Sequence, residues 1–234
     1  MCVFFSFVTD PVNHPAEYYY FDWEYRKAHL EDDGVDSHSH ICAYYKLNED
    51  KCNKYEYIPV TGEFVVDQIN SKRDDQEAAE NWVKRLDFKT IVEPLIIKPI
   101  VNPLELPKVE HVTDEQVAWL REWDSVWDAV GASVGASVRD LVGTSVRNLV
   151  LDSVWNSVGD SVWDLVGASV RDSAWASVWA YLSSFFAINY KYNFSSVANL
   201  WNAGLVPSFD GTMWRLHSGT KADVVYEWAP EVQE

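Results

Sequence analysis

The stretch "HLEDDGVDSHSHIC" holds the densest set of chemically able side chains in the sequence: His29, Glu31, Asp32, Asp33, Asp36, His38, His40 and Cys42, with Cys52 ten positions further on. Carboxylates, imidazoles and thiols are the donors that hold a divalent cation. The spacing matches no zinc module, and the acidic run lacks the glutamate that closes a calcium loop. His38 and His40 share a face only on a strand. An acidic loop leading into a helix capped at Ser37 or Ser39 accounts for the same residues, so no metal and no other cofactor is expected.

Overlapping it, "SHICAYYKLNEDKCNKYEY" followed by "YIPVTGEFVV" has the layout of a helix-turn-helix with a wing. The first helix would run from Ser39 to Tyr45, the turn would be Lys46-Leu47, and a recognition helix over Asn48 to Tyr55 would present Lys51 and Lys54. Glu49, Asp50 and Glu56 oppose phosphate, so nucleic-acid binding by residues 37–66 stands only as an alternative to a helical pair supporting a hairpin. No G-x-S-x-G, P-loop, G-x-G-x-x-G or H-E-x-x-H motif occurs, and the sequence reads as non-enzymatic.

A third set comprises Trp127, Trp155, Trp163, Trp175 and Trp179, interleaved with acids such as Asp128 and Asp164. Tryptophan is a favoured anchor at protein interfaces. If these residues face outward they mark a contact surface.

The elements that must position them are read from composition and period. The chain has 234 residues, 47% apolar and 15% aromatic, with a formal charge of -17. That is too apolar for disorder. No segment is basic, which makes phosphate-backbone binding a poor main activity. Cys2, Cys42 and Cys52 are too few for a disulfide framework and fit a reducing compartment. The N-terminal residues lack a signal-peptide pattern, and no apolar run approaches a membrane span. A cytoplasmic protein without membrane partners is expected.

Three regions follow. Residues 1–112 read as an α+β domain: "CVFFSFV" and "EYYYFDWEY" as strands, "YEYIPVTGEFVVDQI" as a hairpin turning at Pro59 to Gly62, and "DDQEAAENWVKRL" as a helix capped by Asp74 or Asp75 with Ala78, Trp82, Val83 and Leu86 inward. Residues 113–184 open with a helix start, Thr113 and Gln116 forming a capping box and Val117, Leu120 and either Trp123 or Trp119 supplying the apolar face, and continue into a repeat. Residues 185–234 read as a small β-containing cap, with a helix stopped by Gly204 and a hairpin turning at Asp210-Gly211.

The repeat is a tetrad, SVWD AVGA SVGA SVRD LVGT SVRN LVLD SVWN SVGD SVWD LVGA SVRD SAWA SVWA. Valine holds the second place in 13 of 14 units, Ala174 being the exception. On an α-helix each valine lies about 40° further round than the last, so no single face stays apolar. On a strand, places two and four share a face, and Val162 would sit beside Asp164. A β-solenoid with valine inside and places three and four outside is therefore expected, with an α-helical repeat as the alternative. The fixed-inside, variable-outside logic resembles that of pentapeptide-repeat proteins.

The order of blocks "YYYFDWEYRK", "NEDKCNKYEYIPVTGEFVVDQIN", "LDFKTIVEPLIIKPIVNP", tetrads and "LWNAGLVPSFDGTMWRLH" resembles an uncharacterised family of bacteriophages and bacterial metagenomes whose members differ in tetrad number. The resemblance implies no activity. It does imply a length-tolerant element, a host-cell cytoplasmic or virion-associated setting, and a protein partner or a second copy of the chain. Protein interaction or assembly is the expected function. An acidic decoy mimicking nucleic acid is the alternative; it needs exposed Asp128, Asp140, Asp152, Asp160, Asp164 and Asp172, and Arg139, Arg147 and Arg171 weaken it.

Overall fold

The computed structural model describes residues 5–30, 35–159 and 171–230. They form two compact units, one of Met1–Pro99 with Arg139–Leu149 and one of Ile100–Val138 with Val150–Glu234. No described helix is long and apolar enough to cross a membrane.

The first unit is built on an antiparallel sheet in the order β1 (Phe5–Thr9), β2 (Asn53–Ile58), β3 (Glu63–Ile69). β1 is buried along its whole length because both its faces are covered. On one face Phe5 and Phe7 meet Trp82 and Phe88, and Tyr18 stacks on Trp82 at 4.1 Å between ring centres. On the other, Val8 joins Phe21, Ile41, Cys42 and Cys52. The alternation of strand side chains sorts the residues between these two cores.

Three short helices complete the unit: α1 (Trp23–Ala28), α2 (His38–Tyr45) and α3 (Gln76–Val83). The expected strand at "EYYYFDWEY" is only partly realised. Tyr19 makes a single bridge to Val8, and the Asp22 carboxylate then caps α1 by accepting from the Tyr25 amide. A local side-chain bond to the backbone outweighed the strand preference of the aromatics. In α3, Ala79 is buried and Ala78 is not, and the Asp74 carboxylate accepts from the Gln76 amide at 2.9 Å.

The second unit begins with α4 (Asp114–Asp124), where the capping box forms in both directions: Thr113 Oγ1 accepts from the Gln116 amide at 3.3 Å and Gln116 Oε1 from the Thr113 amide at 2.9 Å. Leu120 and Trp123 of α4 are fully buried. The tetrads follow as the long helix α5 (Val130–Val154), of which Arg139–Leu149 is counted with the first unit, a π-helical turn over Trp155–Gly159, and α6 (Arg171–Ser183). Helix α7 (Ser195–Asn202) packs against α4 and α6, and Gly204 at φ +78° ends it. A second antiparallel sheet, β4 (Val206–Phe209), β5 (Trp214–Ser218) and β6 (Asp223–Trp228), closes the unit.

The expectation of a solenoid is overturned. The tetrads between Val130 and Val154 are α-helical, and the described residues form helices and two three-stranded antiparallel sheets. A turning chain is required only where a helix must bury one fixed face. Instead the burial follows the drift: Val130, Val134, Val138, Val150, Val154 and Val158 are each 0 or 1% exposed. The fourth place tracks its surroundings, with Asp128, Asp140 and Asp152 exposed while Ala176 and Ala180 are buried.

A buried ion pair fixes the first unit. Arg26 Nη2 reaches Asp36 Oδ2 at 3.1 Å, with both side chains 6% exposed, and Arg26 Nε donates to the Phe21 carbonyl at 3.0 Å. Removing one partner strands the other charge away from water. Asp36→Ala is expected to lower unfolding free energy by about 3–5 kcal/mol, measured by chemical denaturation of the full chain.

Candidate functional site

Of the five tryptophans singled out in the repeat, the fold brings three together. Trp155 lies 4.9 Å from Trp175 between ring centres, at 71°, and Trp175 lies 6.2 Å from Trp179, at 84°. Edge-to-face contacts of this kind suit the ring quadrupole and hold each indole in one orientation. The ladder is assembled from the π turn, which carries Trp155, and from α6, where Trp175 and Trp179 stand four residues apart on adjoining turns. Trp175 is 39% exposed and Trp155 and Trp179 are half-buried, so the ladder has an open side. Exposed Asp152 and Asn156 adjoin Trp155 in the chain.

Trp127 does not join it. Trp127 packs on Phe209 at 5.8 Å and Trp214 at 5.9 Å, and so belongs to the packing of the second sheet. Neighbouring Asp128 is exposed. Trp163 and Asp164 lie outside the described residues, as do Asp160 and Glu31 to Asp33. Serines of the tetrad are used structurally: Ser173 Oγ accepts from the Phe209 amide at 2.8 Å, satisfying a backbone group of β4.

The dense polar stretch is dispersed into separate structural ties. Ser37 caps α2 by accepting from the His40 amide. Asp36 pairs with Arg26, and His29 Nδ1 meets the Tyr25 carbonyl at 2.8 Å. His40 Nε2 lies 3.0 Å from the Tyr25 hydroxyl, while His38 sits between the Tyr55 carbonyl at 3.0 Å and Asp67 at 3.3 Å. Among the described residues no group of three or more His, Cys, Asp or Glu is gathered in a way that could hold a metal ion.

The recognition helix expected over Asn48 to Tyr55 does not form. Asn48 caps a single 3-10 turn, Glu49–Lys51, after which the chain enters β2. Lys51 is exposed beside it, but Lys54 is nearly buried and bonded to Glu49 at 2.7 Å, so the two lysines do not present one basic face. No family model, no curated protein and no solved structure matches the chain.

One arrangement carries no sequence signature at all. Ser208 Oγ lies 2.8 Å from His217 Nε2, and His217 Nδ1 lies 2.9 Å from the Ala222 carbonyl. A carbonyl only accepts, so the neutral ring carries its proton on Nδ1 and Nε2 accepts from the serine hydroxyl. A nucleophile beside an oriented base resembles the first two members of a hydrolytic triad. Ser208 is 1% exposed and His217 7%, however, so the pair acts as a buried tie between β4 and β5.

Burial holds the His217 imidazole below its ordinary value of 6.5, with Arg215 adding to the effect against the Ala222 bond. A base depressed by folding contributes stability that is complete above the unfolded value and lost as pH falls through the folded one. Acidification below pH 6.5 is expected to destabilise the chain, and His217→Asn to flatten that part of the profile, in denaturation midpoints measured across the range.

Proposed function

We propose that the chain is a non-enzymatic protein-interaction module whose contact surface is the Trp155–Trp175–Trp179 ladder. The observation that carries this reading is an edge-to-face ladder of three indoles, left with an open side and with Trp175 at its middle 39% exposed. Solvent-exposed tryptophan gains little for folding. On a rigid helical frame it loses little entropy when a partner covers it, the condition under which a few aromatic anchors supply most of an interface's energy.

The partner's chemistry follows from the surroundings. A chain of formal charge -17 steers towards basic surfaces and repels nucleic acid. The fitting partner is therefore a protein with an apolar patch rimmed by lysine or arginine. A second copy of the chain meets the first requirement but not the second.

The test is a comparison of full-length chains. Wild type, Trp175→Ala and a control at exposed Val12, Val12→Ala, are immobilised and exposed to host lysate, and a retained protein is then titrated. Truncating an interface tryptophan costs about 2 kcal/mol or more, so affinity is expected to drop roughly thirtyfold for Trp175→Ala and to stay unchanged for the control. Equal affinity of all three chains, with unchanged far-UV spectra, would reject the ladder as the contact surface. Sedimentation across a concentration series separates a foreign partner from self-association.

A further inference from the structure

Cys42 and Cys52 are both free and both buried, at 2% and 0% exposure, within one apolar cluster with Val8, Phe21 and Ile41. They come from separate elements. Cys42 stands on α2, and Cys52 follows the Glu49–Lys51 turn at the entrance to β2. The chain reverses between them at Lys46, which caps α2 in the left-handed conformation at φ +58°. That reversal brings the two cysteines into the one cluster, where the Cys52 thiol donates to the Asn48 carbonyl at 3.3 Å.

The pair is chemically unequal. Cys42 is held below the ordinary thiol value first by the neighbouring Cys52 thiol and further by the Lys54 ammonium, against burial and the Glu49 carboxylate. Cys52 is pushed well above it by the neighbouring Cys42 and by burial. One sulfur is thus disposed to attack and the other keeps its proton in reserve. Lys54 and Glu49, bonded at 2.7 Å, act on the attacking sulfur with opposite signs.

We propose that Cys42 and Cys52 form an oxidisable dithiol that closes to an intramolecular disulfide on reaction with a small hydroperoxide. The Cys42 thiolate attacks the terminal peroxide oxygen, the O–O bond breaks, and the leaving alkoxide or hydroxide takes a proton, giving Cys42 sulfenic acid and one alcohol or water. Cys52 then attacks the sulfenic sulfur. The S–S bond forms, the S–O bond breaks, and the expelled hydroxide takes the Cys52 proton to leave as water. Two thiols lose two electrons and two hydrogens to the peroxide. Burial favours the smallest oxidants, since a bulky mixed disulfide has no room in the cluster. The product ties the C-terminal half of α2 to the entrance of β2.

The full chain is treated with hydrogen peroxide, quenched, alkylated and mapped by mass spectrometry. The expected product is one species with Cys42 linked to Cys52, reversed by a dithiol reductant, with Cys2 still alkylated. Lys54→Met is expected to slow closure several-fold and Glu49→Gln to speed it. A merely structural disturbance of this ion pair would move both variants the same way. Unreacted Cys42 and Cys52 in folded chain, a bridge to Cys2, Cys42 over-oxidised without a bridge, or like-signed effects of the two charge variants would each overturn the assignment.

Discussion

A four-residue repeat laid on a 3.6-residue helix governs this molecule. Each tetrad overshoots a turn by about 40°, so valines identical in sequence point in successively different directions. Burying all of them is possible only if apolar partners are met wherever the stripe goes, and the described valines from Val130 to Val158 are indeed buried. The π turn at Trp155–Gly159 opposes this drift. Its i→i+5 bonds take up more residues per turn, so a four-residue step there falls short of a full circle rather than passing it. A tetrad repeat lies between the two helical geometries and uses both.

This is why the repeat misled a reading from period alone. The valine spacing was plain, but the inference that a helix needs one constant apolar face holds only for a helix packed on one side. Local signals were more dependable. The Thr113 and Gln116 capping box, the Gly204 helix stop and the turns at Gly62 and Gly211 depend on bonds between neighbours or on positive φ, and these are written in a few adjacent residues. The aromatic run before Trp23 and the expected recognition helix failed for one reason. Asp22 and Asn48, short side chains that bond to backbone amides, set the local conformation before longer-range preferences applied.

The chemistry was legible in part. The tryptophans could be named, but not which three would meet, because that depends on the π turn facing α6. The His29 to Cys42 stretch looked like a ligand set because it is dense in donors, yet alternate residues on α2 point in different directions and each found its own partner. Conversely, a spacing of ten between Cys42 and Cys52 matches no motif. The pairing exists only because a left-handed residue at Lys46 folds the chain back. Ser208 and His217 meet across two strands and leave no linear trace.

The tetrad also gives the protein a screw thread. Adding or deleting one unit within α5 leaves every side-chain type in place while advancing whatever follows by about 6 Å and rotating it by about 40°. Nine units complete roughly one revolution. Gain or loss of a repeat in such a helix therefore re-aims the downstream tryptophans as well as extending the reach, and direction and distance change together in fixed steps.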